Sequence, residues 1–475
     1  MKVRDLNLQI GDKLILKNLN FDLPLGKITL LKGKSGVGKS SLLKVLAGII
    51  PNTIDGEASG SIQFHGGDIL GQKTEVLAGQ IAYMAQDPES QLCSFTVEGE
   101  IIFALENILC PVDEIMTRVD EVLSLLQISH LKHKRLNHLS GGEQQKVTLA
   151  SLLVLGADLF ILDEPTANLD PKSTIEMLSL IERLSKEMGR TVLIIEHKLS
   201  EVIGMVDQVL ELTEDGIKTV DRDFLAQRLK TDSQFPHRRF FEGEHDVVLS
   251  IEKISFGYED SPEIFRNLDF SINRGEIVGI TGLNGAGKST LAKLIAGLLK
   301  PNKGQILLKG HNTTRISHKK LGRLIGLVFQ NPEHQFIKFR TEDEISISLT
   351  LLQLDKDEVK RKTEEYLKMF DLINEKENNP FTLSQGQKRR LSTASMIINE
   401  QELLLLDEPT YGQDRENLLR LIELLYEINR KGMTILMITH DKELIKKACD
   451  RIIYLENGQI AYVGPPEGFH AYDIY

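Results

Sequence analysis

The sequence predicts an α/β protein of two tandem copies of one domain, each a mostly parallel sheet with flanking helices and a helical subdomain. Three observations carry this. Five short motifs occur twice in the same order, at an offset of 243 to 249 residues. In each copy, short aliphatic and β-branched runs such as TVLII at 191–195 alternate with helical patterns, as in strands joined by crossover helices. One stretch per copy lacks strand runs. Residues 98–131 place apolar side chains at Val119, Val122, Leu123 and Leu126, a helical period, and 342–379 is the equivalent stretch.

The repeat sets the boundaries. A first domain is expected over 1–225 and a second over 247–475, with 226–246 as linker. The linker contains FPHRRFF at 235–241, read as a surface connection. The 475 residues are 41% hydrophobic and 26% charged, ordinary for globular domains with cores of their own. Cys93, Cys110 and Cys449 lack metal or disulfide spacing and read as small buried side chains. The net charge of -11 argues against a nucleic-acid surface, so no nucleic acid is expected as partner. No charged-then-apolar leader opens the chain. Apolar runs such as 403–406 fall far short of the ~18–20 residues that span a bilayer. A cytosolic chain is expected, touching membrane only through partners.

The motifs carry phosphate chemistry. GKSGVGKSS at 33–41 and GLNGAGKST at 282–290 each satisfy GxxxxGK[ST] between a strand and a helix. Gly33, Gly36 and Gly38, with Gly282, Gly285 and Gly287, let backbone N–H groups curl around phosphate oxygens. Ser35, Ser41, Asn284 and Thr290 complete the two loops. The helix N-terminus adds positive potential. Lys39 and Lys288 are expected to reach the β/γ-phosphates, and the hydroxyls of Ser40 and Ser289 to ligate Mg²⁺. Asp163 and Asp407 each end an apolar strand, where a carboxylate holds the metal's shell. Glu164 and Glu408 follow and are placed to polarise an attacking water as general base. Gln86 and Gln330, after IAYMA and IGLVF, are neutral amides suited to sensing the metal or the water. His197 and His440 end strand-like runs, where an imidazole can donate to the γ-phosphate.

Taken together, Walker A, Q-loop, LSGGQ-like signature, Walker B with its Asp-Glu pair, D-loop and H-loop occur in order, twice. The chain resembles ATP-binding-cassette (ABC) ATPases over about nine-tenths of its length, a P-loop NTPase fold. The resemblance implies MgATP hydrolysis, with ATP and Mg²⁺ as cofactors. It also implies an intramolecular pseudo-dimer in which each nucleotide meets the Walker residues of one half and the signature of the other. The signature residues are Ser140, Gly141 and Gly142 in LSGGE, and Ser384, Gly386 and Gln387 in LSQGQ. The motifs depart from the pattern at Glu143, where Gln is commoner, and at Gln385, which replaces a glycine. Tyr258 stands where the family stacks adenine; the first copy has the aliphatic stretch 8–10 there. Weaker ATP binding at the Lys39 site is therefore expected.

The stretch after each Q-loop narrows the resemblance. PESQ at 88–91 (Pro88, Glu89, Ser90, Gln91) and PEHQ (Pro332, Glu333, His334, Gln335) look like the xPExQ extension of energy-coupling-factor (ECF) transporter ATPases. LSQGQKRR and the TYGQD stretch at 410–414 look like that group too. The resemblance implies a transmembrane coupling protein docking at these extensions and a small membrane protein that captures the substrate. The expected substrate is a vitamin, such as a thiamine precursor, or a metal ion. The chain would lie peripherally on the cytoplasmic face. Two alternatives are a fused ATPase of a monosaccharide importer and, more remotely, a soluble tandem protein acting on ribosomes. The intact second Walker A opposes the first; the short linker and acidic charge oppose the second.

Overall fold

The structure, a computed structural model, describes residues 1–34, 36–86, 91–167, 169, 171–231, 235–236, 243, 246–259, 262–283, 285–410, 413 and 415–469. The chain divides into two compact units, Met1–Ser233 and Gln234–Tyr475. The linker expected at 226–246 falls across that division. Helix Arg222–Thr231 carries its first residues, most of the FPHRRFF cluster lies outside the described residues, and strand Val247–Phe256 follows.

Each unit is built on a six-stranded sheet. In the first, the order is Gly216–Val220, Gln208–Thr213, Ile28–Lys32, Thr191–Ile195, Leu159–Asp163, Ile81–Met84. All neighbours run parallel except the outermost hairpin. The second unit has the same order: Gln459–Gly464, Arg451–Glu456, Ile277–Gly282, Thr434–Ile438, Leu403–Asp407, Ile325–Val328. Again only the outermost pair is antiparallel. Central strands such as LFILD and TVLII are buried at every residue, as strands covered by helices on both faces must be.

A second sheet of antiparallel strands accompanies each. It consists of Lys13–Asp22, Lys2–Ile10, Glu57–Phe64 and Gly67–Asp68 in the first unit. In the second it consists of Phe265–Asn273, Val247–Phe256, Lys303–Leu308 and His311–Asn312. The mostly parallel expectation did not contain this sheet. Its strands mix buried and exposed residues, so one face is solvated, unlike the central strands.

The helical subdomains are where the period placed them. The first unit has helices Val97–Asn107 and Val112–Leu125, the second Thr341–Leu351 and Lys356–Met369. Val119, Val122, Leu123 and Leu126 are all buried in the first unit's core. Helices Gly141–Leu153 and Gln385–Ile397 then lead back to the sheet.

Register positions the chemistry. Leu30 pairs with Ile194, and Asp163 with Ile195; Ile280 and Asp407 both pair with Ile438. Three adjacent parallel strands thus end side by side, carrying the phosphate loop, the histidine and the acidic pair. The carboxyl edge of a parallel sheet is where ligands of such folds bind.

Candidate functional site

Each unit has one site, built at that edge. The phosphate loop begins where the central strand ends. Gly38 (φ 101°) and Gly287 (φ 92°) are left-handed, and each caps the helix that starts at Lys39 or Lys288. A side chain at Gly33 or Gly282 would meet Leu212 O at 2.5 Å or Leu455 O at 2.3 Å, so both positions require glycine. Lys39 Nζ donates to the carbonyls of Gly33 and Lys34, both at 2.9 Å. Lys288 Nζ donates to Gly282 O and Leu283 O at 2.9 and 3.0 Å. The lysines are thus held over their own loops by main-chain carbonyls. Ser35 and Asn284 lie outside the described residues; Ser41 and Thr290 open the helices.

Asp163 sits below this loop, and burial first, then Glu164, raises its pKa to about 6, against hydrogen bonding from Ser40 and the charge of Lys39. Burial raises Asp407 likewise, opposed by Ser289 and Lys288. Asp407 Oδ1 is buried without a hydrogen-bond partner among the described residues. A buried carboxylate oxygen beside a serine hydroxyl suits a small hard cation.

The glutamates that follow have left-handed backbones, φ 52° at Glu164 and 46° at Glu408. Their amides donate to Ile195 O and Ile438 O at 3.0 and 2.8 Å, fastening the turn to the histidine strand. Glu164 is then gripped from two sides. Gln86 Nε2 donates to its Oε2 at 2.8 Å, and His197 Nε2 stands 2.7 Å from its Oε1. In the second unit His440 Nε2 is 3.3 Å from Glu408 Oε1, and the His440 amide donates to Oε2 at 3.4 Å. Sequence reasoning named the members of both constellations; the structure brings them into contact. An oriented carboxylate beside a phosphate loop can accept a proton from water, and the imidazole and amide can hold charge on phosphoryl oxygens.

The signature residues cap their helices. Ser140 and Ser384 accept from the amides of Glu143 and Gln387, both at 3.3 Å. The Glu143 and Gln387 side chains reach back to the serine amides at 2.8 and 2.9 Å, two complete capping boxes. Glu143 also accepts from Ser140 Oγ at 2.9 Å. Burial pushes the Glu143 carboxyl up, but these bonds outweigh it and hold the pKa below the usual range. The departure from Gln at Glu143 is therefore a working cap, though it places negative charge where an anion would approach. Gly142 and Gly386 answer to packing inside their own units. A Cβ would meet Ser173 Oγ at 3.0 Å in the first case and Asn417 Cγ at 2.4 Å in the second.

Of the xPExQ stretches, 87–90 lie outside the described residues. Gln91 is clamped inward, accepting from Ala85 N at 2.7 Å and donating to Tyr83 O at 3.0 Å. Pro332–Gln335 forms a single 3-10 turn in which Asn331 caps Glu333, Lys388 pairs with Glu333 at 2.6 Å, and Gln335 donates to Ser392 O. Tyr258 is partly exposed, with its hydroxyl 3.5 Å from Thr290 Oγ1, next to the phosphate-loop helix.

Sequence reasoning missed Glu196. It is buried beside His197, and its Oε1 accepts from Thr166 N and Oγ1 at 2.9 and 2.7 Å, tying the segment after Glu164 to the histidine strand. The equivalent residue in the second unit is Thr439. An acid next to a histidine at a strand end reads as solvated turn in sequence, so no signal marked it. Burial raises its pKa to about 7.

Comparison with known proteins covers both units. A family model described as ABC transporter matches residues 16–167 and 265–411. A Bacillus subtilis (strain 168) protein, provisionally named HMP/thiamine import ATP-binding protein YkoD, is 34% identical over 96% of this chain and 89% of its own length. A Methanosarcina mazei protein, provisionally named ABC transporter ATP-binding protein, is 35% identical over 94% of this chain and 90% of its own. The solved structure of cbiO1 from Clostridium perfringens, described as part of the ABC transporter complex cbiONQ, is 32% identical. It covers 47% of this chain and 90% of its own, with a TM-score of 0.44.

Two outcomes follow from this geometry. Because Glu196 has a raised pKa in the fold, the unfolded state ionises first as pH climbs from its ordinary 4.5 toward about 7, and stability falls across that window. Glu196→Gln is expected to flatten the decline of melting temperature between pH 5 and pH 8; an unchanged slope contradicts the assignment. Gly386→Ala is expected to lower the melting temperature more than Gly142→Ala, since its Cβ meets a side-chain carbon at 2.4 Å. Thermal unfolding of the two variants checks the order.

Proposed function

The chain belongs to the ABC transporter family, as an ATP-binding subunit of the kind that hydrolyses ATP, and from that premise we propose that it is the motor of an energy-coupling-factor importer. The observation that carries the motor reading is the carboxylate of Glu164 held between Gln86 and His197 below a phosphate loop, with Glu408 and His440 repeating it. In this reading Lys39 and Lys288 leave their loop carbonyls for phosphate oxygens. Glu164 and Glu408 take a proton from the attacking water. Gln86, Gln330, His197 and His440 hold that water and the charge that spreads over the phosphoryl oxygens. Ser140, Gly141 and Gly142, with Ser384, Gly386 and Gln387, present helix N-termini to γ-phosphate.

Mg²⁺ fits the oxygen donors. Ser40 with Asp163, and Ser289 with Asp407, would hold it, with Gln86 and Gln330 reaching it directly or through water. When bound it neutralises charge on the phosphate oxygens. The partnerless buried Oδ1 of Asp407 supports this.

Docking to a membrane partner is supported by the loops that follow Gln91 and Gln335. Glu100, buried, accepts from the amides of Cys93 and Ser94 at 3.0 and 2.8 Å; Glu344 does the same for Ile337 and Lys338 at 2.9 and 2.8 Å. Each rigid loop offers solvent a phenylalanine, Phe95 at 89% and Phe339 at 80% exposure. Repeated, fixed, exposed aromatics suit a protein partner's apolar anchor. Among the described residues no helix is long and apolar enough to cross a membrane. In the importer reading the chain lies peripherally on the cytoplasmic face, with membrane contact through that partner. A vitamin of the thiamine-precursor kind is the favoured cargo, on the likeness to the HMP/thiamine import protein and the xPExQ resemblance. A metal ion is the other cargo of that resemblance.

The first test is co-purification from native membranes in mild detergent, with mass spectrometry. One coupling membrane protein plus a small, very hydrophobic protein is expected; a conventional permease pair or ribosomes contradicts the importer type. Phe95→Ser with Phe339→Ser is expected to lose these partners while ATP binding persists. Tyr258→Ala is expected to weaken ATP affinity at one site roughly tenfold, the worth of a stacked base. Binding isotherms on the full chain check it, and two affinities untouched by the substitution contradict the stacking role.

A further inference from the structure

The helix Gln385–Ile397 carries a charge that the chemistry above does not use. Arg389 is fully buried. Its Nη1 donates to Phe329 O at 2.7 Å, and its Nη2 donates to Gln330 O at 2.6 Å and to Glu408 O at 3.1 Å. A buried guanidinium is costly unless its donors find acceptors, and here its two terminal nitrogens reach three main-chain carbonyls from two separate segments. The segments are the turn of the sensing amide Gln330 and the turn of the proposed base Glu408. The fork joins both to the helix whose first residues are the signature.

The first unit is built differently. Gln145 occupies the equivalent position, also buried. Its amide donates to Ala167 O at 2.9 Å, and its Oε1 has no partner among the described residues. Glu164 O accepts from Ala167 N at 3.0 Å. Gln145 thus reaches the turn after Glu164 and, among the described residues, makes no bond to the Gln86 loop. Among the described residues, Arg389 spans both segments and Gln145 reaches one.

We propose that Arg389 is a positioning residue of the second unit's ATPase site: it locks the Gln330 loop and the Glu408 turn to the signature helix, so that displacement of the loop moves the base. In the first unit Gln145, at the matched position, ties only the turn after Glu164 among the described residues. The proposal rests on the reading of both sites as ATPase centres. Arginine suits the task because its planar fork reaches two segments at once; a lysine ammonium is a single point on a flexible stem.

The test is a double-mutant cycle on the full chain, measuring MgATP hydrolysis and ATP binding. Arg389→Gln, which installs the first unit's side chain, is expected to lower kcat about tenfold with KM within about twofold, as for a base shifted from its aligned position. In that background Gln330→Ala is expected to cost less than about a third of the factor it costs alone, while Gln86→Ala costs the same factor in both backgrounds. If Arg389→Gln does not yield folded protein, Arg389→Lys carries the same comparison. Equal factors for Gln330→Ala with and without Arg389 overturn the proposal. So does a lowered melting temperature with kcat unchanged, which marks a purely structural residue. Hydrolysis with additive losses overturns the proposal alone; a native chain that does not hydrolyse MgATP overturns both it and the ATPase reading.

Discussion

A glutamate forced into left-handed backbone at the end of a buried strand is the constraint on which both sites depend. Such a conformation costs a non-glycine residue about 1–3 kcal/mol and persists only where its surroundings over-determine it. Here the surroundings are visible. Asp163 and Asp407 keep the strands in register with the histidine strands up to their last residues. The next amide then donates to Ile195 O or Ile438 O, turning the chain and throwing the glutamate side chain back toward the histidine. The strain is local, and what it secures is local: a carboxylate oriented beside a phosphate loop.

The two units solve the same problem with different buried residues. The first pins its turn with the acid Glu196, whose place in the second is taken by Thr439. The second pins its turn with the cation Arg389, whose place in the first is taken by Gln145. Tyr83 interacts with Asp163, while Leu327 stands at the matching position. The motif residues are nearly duplicated and their supports are not. The two constellations are therefore alike in motif residues and unlike in their supports. This is a physical basis for inequality that the motifs alone do not display.

Much of this was legible in the sequence, and the reasons are specific. Phosphate loops need glycine at fixed places, so 33–40 and 282–289 announce themselves. Buried parallel strands need unbroken aliphatic runs, so LFILD and LLLLD mark where the acids sit. The subdomain helices showed through their period at Val119, Val122, Leu123 and Leu126. The antiparallel sheets were missed because their strands mix buried and exposed residues without a clean alternation. Glu196 and Arg389 were missed because a charged residue in a sequence carries no label for burial; only the carbonyls and hydroxyls that close around it reveal its role. Glu143 looked like a departure from the pattern, yet its carboxylate completes the capping box at the third helical position as Gln387 does in the second unit.

The central claim is that Glu164 and Glu408 are the bases of two working ATPase sites. Phosphate release by the full chain with Mg²⁺, compared among the native protein, Glu164→Gln, Glu408→Gln and the double variant, tests it most directly. A loss in each single variant and abolition in the double are expected, with ATP still bound by all four. A double variant that hydrolyses at the native rate would contradict it.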